Sequence, residues 1–321
     1  MRILITGISG QDGRLLSEIL DRDGVEIVGT TRSVEQSRIL QIRDSLPSAV
    51  KLISLDLNNF KELDSLFASQ RFDVIFHFSA QSSVGKSFAQ PLVNILNPAE
   101  ISFNLLEAAR LHQCETKIIF AGSTEVFGSH GALAINENSL KQPMSPYAAG
   151  KLSQEAVTAF FRNSYGMWIS NAYLSNHESL YRGHQFVTMK IVKGAFDILN
   201  GKLATLKLGN LSVVRDWGWA PEFMAALTLL SKIDSPEDLI VATGKSISLL
   251  DFSTEVFDYF GVPFETHVEF DSTLLRAGDP SEVHYDVTKA KSVLKWQAAI
   301  RGTDVPRKLA QSFHRGESSN V

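Results

Sequence analysis

The sequence predicts an α/β protein, with a doubly wound parallel sheet followed by a smaller, mixed α/β lobe. Three observations predict it. Short apolar runs alternate with helical periodicities through the first half of the chain. The first run, Ile3-Leu4-Ile5, passes through the glycine-rich stretch 6–13 into a helical pattern over 14–20, the order a phosphate-binding turn requires. A chain of 321 residues can bury a core for one such domain and a second lobe. The expected division is a dinucleotide-binding domain over 1–175, with some later segments returning to it. A mainly substrate-binding lobe over 176–315 and a loose tail over 316–321 complete it.

The glycines are spaced Gly7-x-x-Gly10-x-x-Gly13, with Gln11 and Asp12 between the last two. Glycine there lets the backbone approach a pyrophosphate at a helix N-terminus; a lone triplet is otherwise a plain tight turn. The second strand pattern, 25–30, runs into Thr31-Arg32-Ser33, where an NAD site would carry an acidic residue. An arginine beside hydroxyls fits a 2′-phosphate and favours NADP over NAD. The third strand, 51–55, ends at Asp56-Leu57, a candidate adenine contact, and 59–70 reads as a helix. The fourth, 73–77, ends in Phe78-Ser79-Ala80-Gln81-Ser82-Ser83. Small Ser79, Ala80 and Ser82 suit the close approach of a nicotinamide ribose, whereas His77 reads as structural. A long helix is expected over 92–112. Ligands of such sheets sit beyond the carboxyl ends of the strands, where all these residues fall.

The run Lys117-Ile118-Ile119-Phe120 reads as a buried strand, and the turn after it is expected to expose Ser123, Thr124 and Glu125. Ser145-Pro146 starts a helix that carries Tyr147 and Lys151, four residues apart and so on one face. A phenol titrates near ~10, and an ammonium beside it lowers that value. With a serine hydroxyl sharing the proton, the trio can deprotonate a sugar hydroxyl while hydride leaves the same carbon. Glu125 adds a second base, which alcohol oxidation alone does not need. Tyr-x-x-x-Lys arises by chance in many helices; its position after a nucleotide-binding turn gives it meaning.

A strand over 168–174 opens into a polar loop over 175–183, suited to sugar hydroxyls and phosphates. Lys190 and Lys193 stand near the start of the next helix. Arg215 either clamps a diphosphate or pairs with its neighbour Asp216. Arg276 is a phosphate candidate or a surface residue.

Composition narrows the function classes. A net charge of −4 and a pI of about 6.1 offer no broad basic field to nucleic acid. The single cysteine, Cys114, excludes an internal disulfide framework and a cysteine-rich metal site; a helix-end core position is expected for it, and no metal. The chain begins directly with a strand, without a visible signal peptide. No apolar run approaches the ~20 residues that span a bilayer, so a cytoplasmic protein without a membrane partner is expected.

Together these stretches resemble the extended short-chain dehydrogenase/reductase superfamily acting on nucleotide sugars, and within it the GDP-mannose 4,6-dehydratase family. The resemblance runs from Ile3 to about Trp296. Its narrow markers are Gln11-Asp12 inside the glycine turn, Asn176-His177-Glu178-Ser179, and Arg215-Asp216-Trp217-Gly218. It implies a Rossmann-like fold and a lyase that uses NADP in an internal redox cycle. Oxidation at C4, loss of water across C5 and C6, and reduction at C6 give a 4-keto-6-deoxy sugar. Ser123 stands where the family usually has threonine, Glu125 at its carbon-acid base, and Tyr147 and Lys151 at its base and activator. Cofactor contacts are implied for Gly7, Gly10, Gln11, Asp12, Gly13, Arg32, Asp56, Leu57, Ser79, Ala80, Ser82, Tyr147 and Lys151. Contacts to a GDP-sugar are implied for Ser83, Thr124, Asn176, Glu178, Val187, Lys190, Gly209, Arg215 and Arg276.

The chain departs from the family pattern at several points. The segment after Arg32 is shorter, with one arginine followed by serine where the family commonly has two; Leu180 and Tyr181 replace a proline and an arginine, and 262–288 is abbreviated. A homodimer or homotetramer is implied. A reductase or epimerase of a GDP-4-keto-6-deoxy sugar is the main alternative, and a non-catalytic nucleotide-binding protein the other.

Overall fold

The computed structural model describes residues 1–32, 35–275 and 278–318. Ser33 and Arg276 therefore lie outside the described residues. Fifteen strands are described, β1 to β15 in chain order. Seven form one parallel sheet: β1 (Arg2–Thr6), β2 (Glu26–Thr31), β3 (Val50–Ser54), β4 (Val74–His77), β5 (Lys117–Ser123), β7 (Ile169–Leu174) and β12 (Leu239–Val241). Their order is β12-β7-β5-β4-β1-β2-β3. The winding reverses between β1 and β4, so a crevice opens beyond their carboxyl ends.

Alternation along each strand divides the core between the two faces. Ile3, Ile5, Ile27, Phe76, Ile119 and Ala172 face one side, with Leu16, Leu20, Phe223 and Leu227 packed on them. Leu4, Val28, Ile75, Ile118, Phe120 and Ile169 face the other, with Leu63, Phe67, Leu105 and Phe161. Helices thus cover both faces, which explains why these strands read as unbroken apolar runs. The helix Ala220–Leu230 and strand β12 come from the later chain, so segments beyond 176 do return to the sheet.

A separate core joins the helices Val187–Leu199, Leu249–Phe260 and Asp304–Ser318. The last helix runs through Gly316 to Ser318, into the stretch expected to be a loose tail. Val305, Leu309, Ala310 and Phe313, spaced by helical turns and buried in this core, carry it there.

The remaining strands form two-stranded pairs around the crevice. β8 (Asn176–Glu178) pairs with β11 (Trp217–Trp219), and β10 (Val214–Arg215) with β13 (Ile247–Ser248). β9 (Leu206–Leu208) pairs with β14 (Val268–Phe270), and β6 (Ala134–Ile135) with β15 (His284–Tyr285).

Cys114 is exposed, contrary to the core position expected for it. Its neighbour Gln113 takes the buried place at the helix end. The Gln113 amide accepts from the Phe72 N–H at 2.8 Å and donates to the Phe67 carbonyl at 2.8 Å. Among the described residues no helix is long and apolar enough to cross a membrane, and no cluster of His, Cys, Asp and Glu could hold a metal.

Candidate active site

A cleft of about 630 Å³ lies beyond the carboxyl ends of the sheet, against the second core. Each wall comes from a different piece of sequence. The floor begins at the turn after β1. Gly7 has φ +75°, and a Cβ there would stand 3.0 Å from the backbone of Phe78 and Ser79. The turns after β1 and β4 thus touch backbone to backbone. The helix Gln11–Leu20 starts from Gly10 with no side-chain cap, so its first N–H groups and its dipole face the cleft. This donor set fits an anionic pyrophosphate. Ala80, Ser82 and Ser83 line the adjoining wall.

β5 delivers the chemistry. Ser123 is its last residue and begins the short turn Thr124–Phe127, accepting from the Glu125 N–H at 3.2 Å. Ser123 and Glu125 line the cleft; Thr124 does not. The Thr124 hydroxyl is buried and donates to the Leu174 carbonyl at 3.3 Å. Opposite, the helix Pro146–Tyr165 starts at Ser145, whose hydroxyl accepts from the Ala148 N–H at 3.1 Å. It presents Tyr147 and Lys151 to the same cleft.

The electrostatics differ from the expectation. The Tyr147 phenol is pushed up to about 12, by burial first and also by the charge of Glu125, against a hydrogen bond with Ser123 that lowers it. The Lys151 ammonium donates to the Ala121 carbonyl at 2.8 Å and to Gln154 at 3.3 Å. Burial brings Lys151 down to about 8, with Asp12 opposing. His77 is structural, as expected: it hydrogen-bonds Thr6 at 2.9 Å, and burial, then Lys151, hold it down to about 3, so it is neutral.

The polar loop is strapped to the glycine turn by residues that sequence reasoning treated separately. His177 Nε2 meets Asp12 at 3.0 Å, the Gln11 amide donates to the His177 carbonyl at 3.1 Å, and Ser179 donates to Gln11 at 2.8 Å. Burial works to raise Asp12, yet the charge and hydrogen bond of His177 hold it below the ordinary carboxylate value. Burial likewise works to lower His177, and Asp12 outweighs it. Asn176 and Glu178 flank this contact and line the cleft. His177 and Arg182 line it too and were missed; Arg182 pairs with Glu178 at 3.3 Å and stacks on Phe186. The arginine retained after Tyr181 was the available signal.

Val187, Lys190, Gly209 and Arg215 also line the cleft. Arg215 does not pair with Asp216. Its guanidinium donates to Asp279 at 2.6 Å and to the Pro280 carbonyl at 2.7 Å. Asp216 points the other way, accepting from the N–H groups of Thr243 and Gly244 at 3.0 and 2.8 Å. Arg215 ends β10 and Asp216 lies between β10 and β11, so the two side chains find separate partners. Arg32 is exposed just past the end of β2, Asp56 is exposed with its carboxylate on Asn58, and Leu57 is buried. These three and the half-buried Ser79 do not line the cleft.

A sequence model described as GDP-mannose 4,6 dehydratase matches residues 4–309. This chain belongs to the GDP-mannose 4,6-dehydratase family. GDP-mannose 4,6 dehydratase 1 of Arabidopsis thaliana is 34% identical over 308 residues, covering 92% of this chain and 85% of that one. GDP-mannose 4,6 dehydratase of Homo sapiens is 30% identical over 335 residues, covering 96% and 90%. Among solved structures, UDP-glucose 4-epimerase of Thermotoga maritima with UDP-glucose superposes with TM-score 0.86 at 20% identity, over 99% and 100% of the two chains. dTDP-glucose 4,6-dehydratase of Bacillus anthracis in complex with NAD gives 0.82 at 18%, over 99% and 98%. At those identities the likeness is one of fold.

Proposed function

We propose that the chain is a nucleotide-sugar 4,6-dehydratase that converts a GDP-hexose such as GDP-mannose to its 4-keto-6-deoxy form, with NADP held throughout. The relatives bear that activity in their names, and the dTDP-glucose 4,6-dehydratase of Bacillus anthracis holds NAD. Arg32 at the end of β2 supports NADP over NAD. The observation that carries the reading is that Ser123, Glu125 and Tyr147 converge on one cleft with the glycine turn.

The oxidised nicotinamide, when bound, supplies the hydride-accepting carbon and a positive charge that favours phenolate. Tyr147, hydrogen-bonded to Ser123, takes the proton of the C4 hydroxyl. The C4 ketone acidifies the C5 proton, and the Glu125 carboxylate removes it as hydroxide leaves C6. Protonated in that step, Glu125 passes its proton to the leaving oxygen, and water departs; the hydride taken from C4 would return to C6, and Tyr147, which holds the C4 hydroxyl proton, would protonate C5. The charge of Glu125 adds to burial in raising the Tyr147 phenol. Asn176, Lys190 and Arg215 are assigned to the sugar and diphosphate.

The test is Glu125→Gln with a panel of GDP-sugars, followed by mass spectrometry. The variant should oxidise C4 and release no dehydrated product. Full yield of the 4-keto-6-deoxy sugar would remove Glu125 from the mechanism. A reductase would instead consume external NADPH.

A further inference from the structure

Gln154 lies one turn beyond Lys151 on the helix Pro146–Tyr165 and is wholly buried. Its surroundings are a closed polar triangle. Lys151 Nζ donates to the Ala121 carbonyl at 2.8 Å and to Gln154 Oε1 at 3.3 Å, and Gln154 Nε2 donates to the same Ala121 carbonyl at 3.2 Å. Ala121 stands one residue past the last paired position of β4 and β5, His77 opposite Phe120, and its carbonyl receives both side chains. The amide can be oriented only one way. Flipped, its oxygen would face the Ala121 oxygen and its NH₂ would face an ammonium.

An ammonium has three N–H donors. The triangle takes two, which leaves one for the cleft that Lys151 lines. We infer that Gln154 is a positioning residue: by accepting from Lys151 and donating to Ala121, it fixes where the catalytic ammonium sits and aims its third N–H at the cleft. This rests on the proposed role of Lys151 beside Tyr147.

The triangle also bears on the charge of Lys151. From the other elements packed around it, Lys151 faces His77 at the end of β4 and Asp12 at the start of the helix Gln11–Leu20. On its own helix, Tyr147 lies one turn back. His77 is neutral and Asp12 is held by His177. The groups that touch the ammonium itself are therefore a carbonyl and the Gln154 amide. A hydrogen bond to a charged group in a dry place is among the stronger ones, so removing this acceptor must make the ammonium easier to deprotonate.

The test reads Lys151 directly. Protein carrying ¹³Cε-lysine is titrated by NMR, and the Lys151 resonance is assigned by its loss in Lys151→Arg. Gln154→Leu, of similar volume, should move the Lys151 midpoint down by about one pH unit. Gln154→Glu sets a carboxylate at the same place and should move it up. In both variants the alkaline limb of the kcat profile should follow the midpoint. Opposite shifts support the inference; midpoints unmoved, or moved the same way in both variants, overturn it. A variant that merely loosened the helix would lower kcat without opposite shifts. Failure of the underlying reading looks different: Lys151→Met would keep full activity while the NMR shifts still occurred.

Discussion

In the proposed mechanism Glu125 and Tyr147 divide the labour at the residue scale, and Tyr147 and Lys151 are each tuned by what surrounds them. The phenol rises because it is buried and faces a carboxylate; the ammonium falls because it is buried. Lys151 is therefore charged below about 8 and loses its proton as the pH climbs through that value. If the charge serves the reaction, kcat falls above about pH 8, and Lys151→Arg, which keeps its charge at every such pH, flattens that limb while lowering the plateau. A kcat profile from pH 6 to 10, roughly two units either side of the midpoint, checks this. A second prediction concerns Arg32. Losing a charge-assisted contact to a 2′-phosphate costs on the order of tenfold or more in affinity. Arg32→Ala should weaken NADP by that factor, leave NAD unchanged, and be read by titration of both. The candidate residue types were legible in the sequence because each must lie near a strand end or helix start. The direction of the Tyr147 shift was not, because four-residue spacing fixes a helix face but not how deeply the phenol is buried.

Two helices and a loop set the precision of the cleft. The helix bearing Tyr147 and Lys151 packs on the helix Pro91–His112, and it does so at Gly150, between those two residues. A Cβ at Gly150 would stand 2.0 Å from the Asn94 carbonyl oxygen, a backbone atom that cannot rotate away. Gly150→Ala should therefore cost about 1–3 kcal/mol by overpacking and lower kcat more than it raises KM, because it displaces the base and its activator together. Urea unfolding beside steady-state kinetics would show both effects. Unchanged stability would mean that the helices slide apart freely. The glycine was visible in the sequence between Tyr147 and Lys151, but its purpose was not, since only the packing partner shows what a methyl group would strike. The same holds for Gln11 and Asp12. They marked the family as a motif, and the structure shows them bonded to Ser179 and His177. The glycine turn and the polar loop therefore form one unit.

The whole molecule is a parallel sheet whose switch point meets a second core built largely from the later chain. The sheet was legible because buried parallel strands must be apolar throughout and must alternate with helices. The return of Ala220–Leu230 and β12 to the first core was legible only as a general expectation, since short apolar segments carry no address. Arg215 finds Asp279 rather than Asp216 for the same reason: its partner is 64 residues away in sequence. In the proposed reading the assembly holds one sugar ring between a hydride-exchanging cofactor and two bases for the length of a full cycle. That claim is tested most directly with GDP-mannose deuterated at C4, incubated with the holoenzyme without added NADPH. The expected result is loss of one water, with deuterium recovered at C6 of the 4-keto product. Deuterium retained at C4, or product formed only when NADPH is supplied, would contradict it.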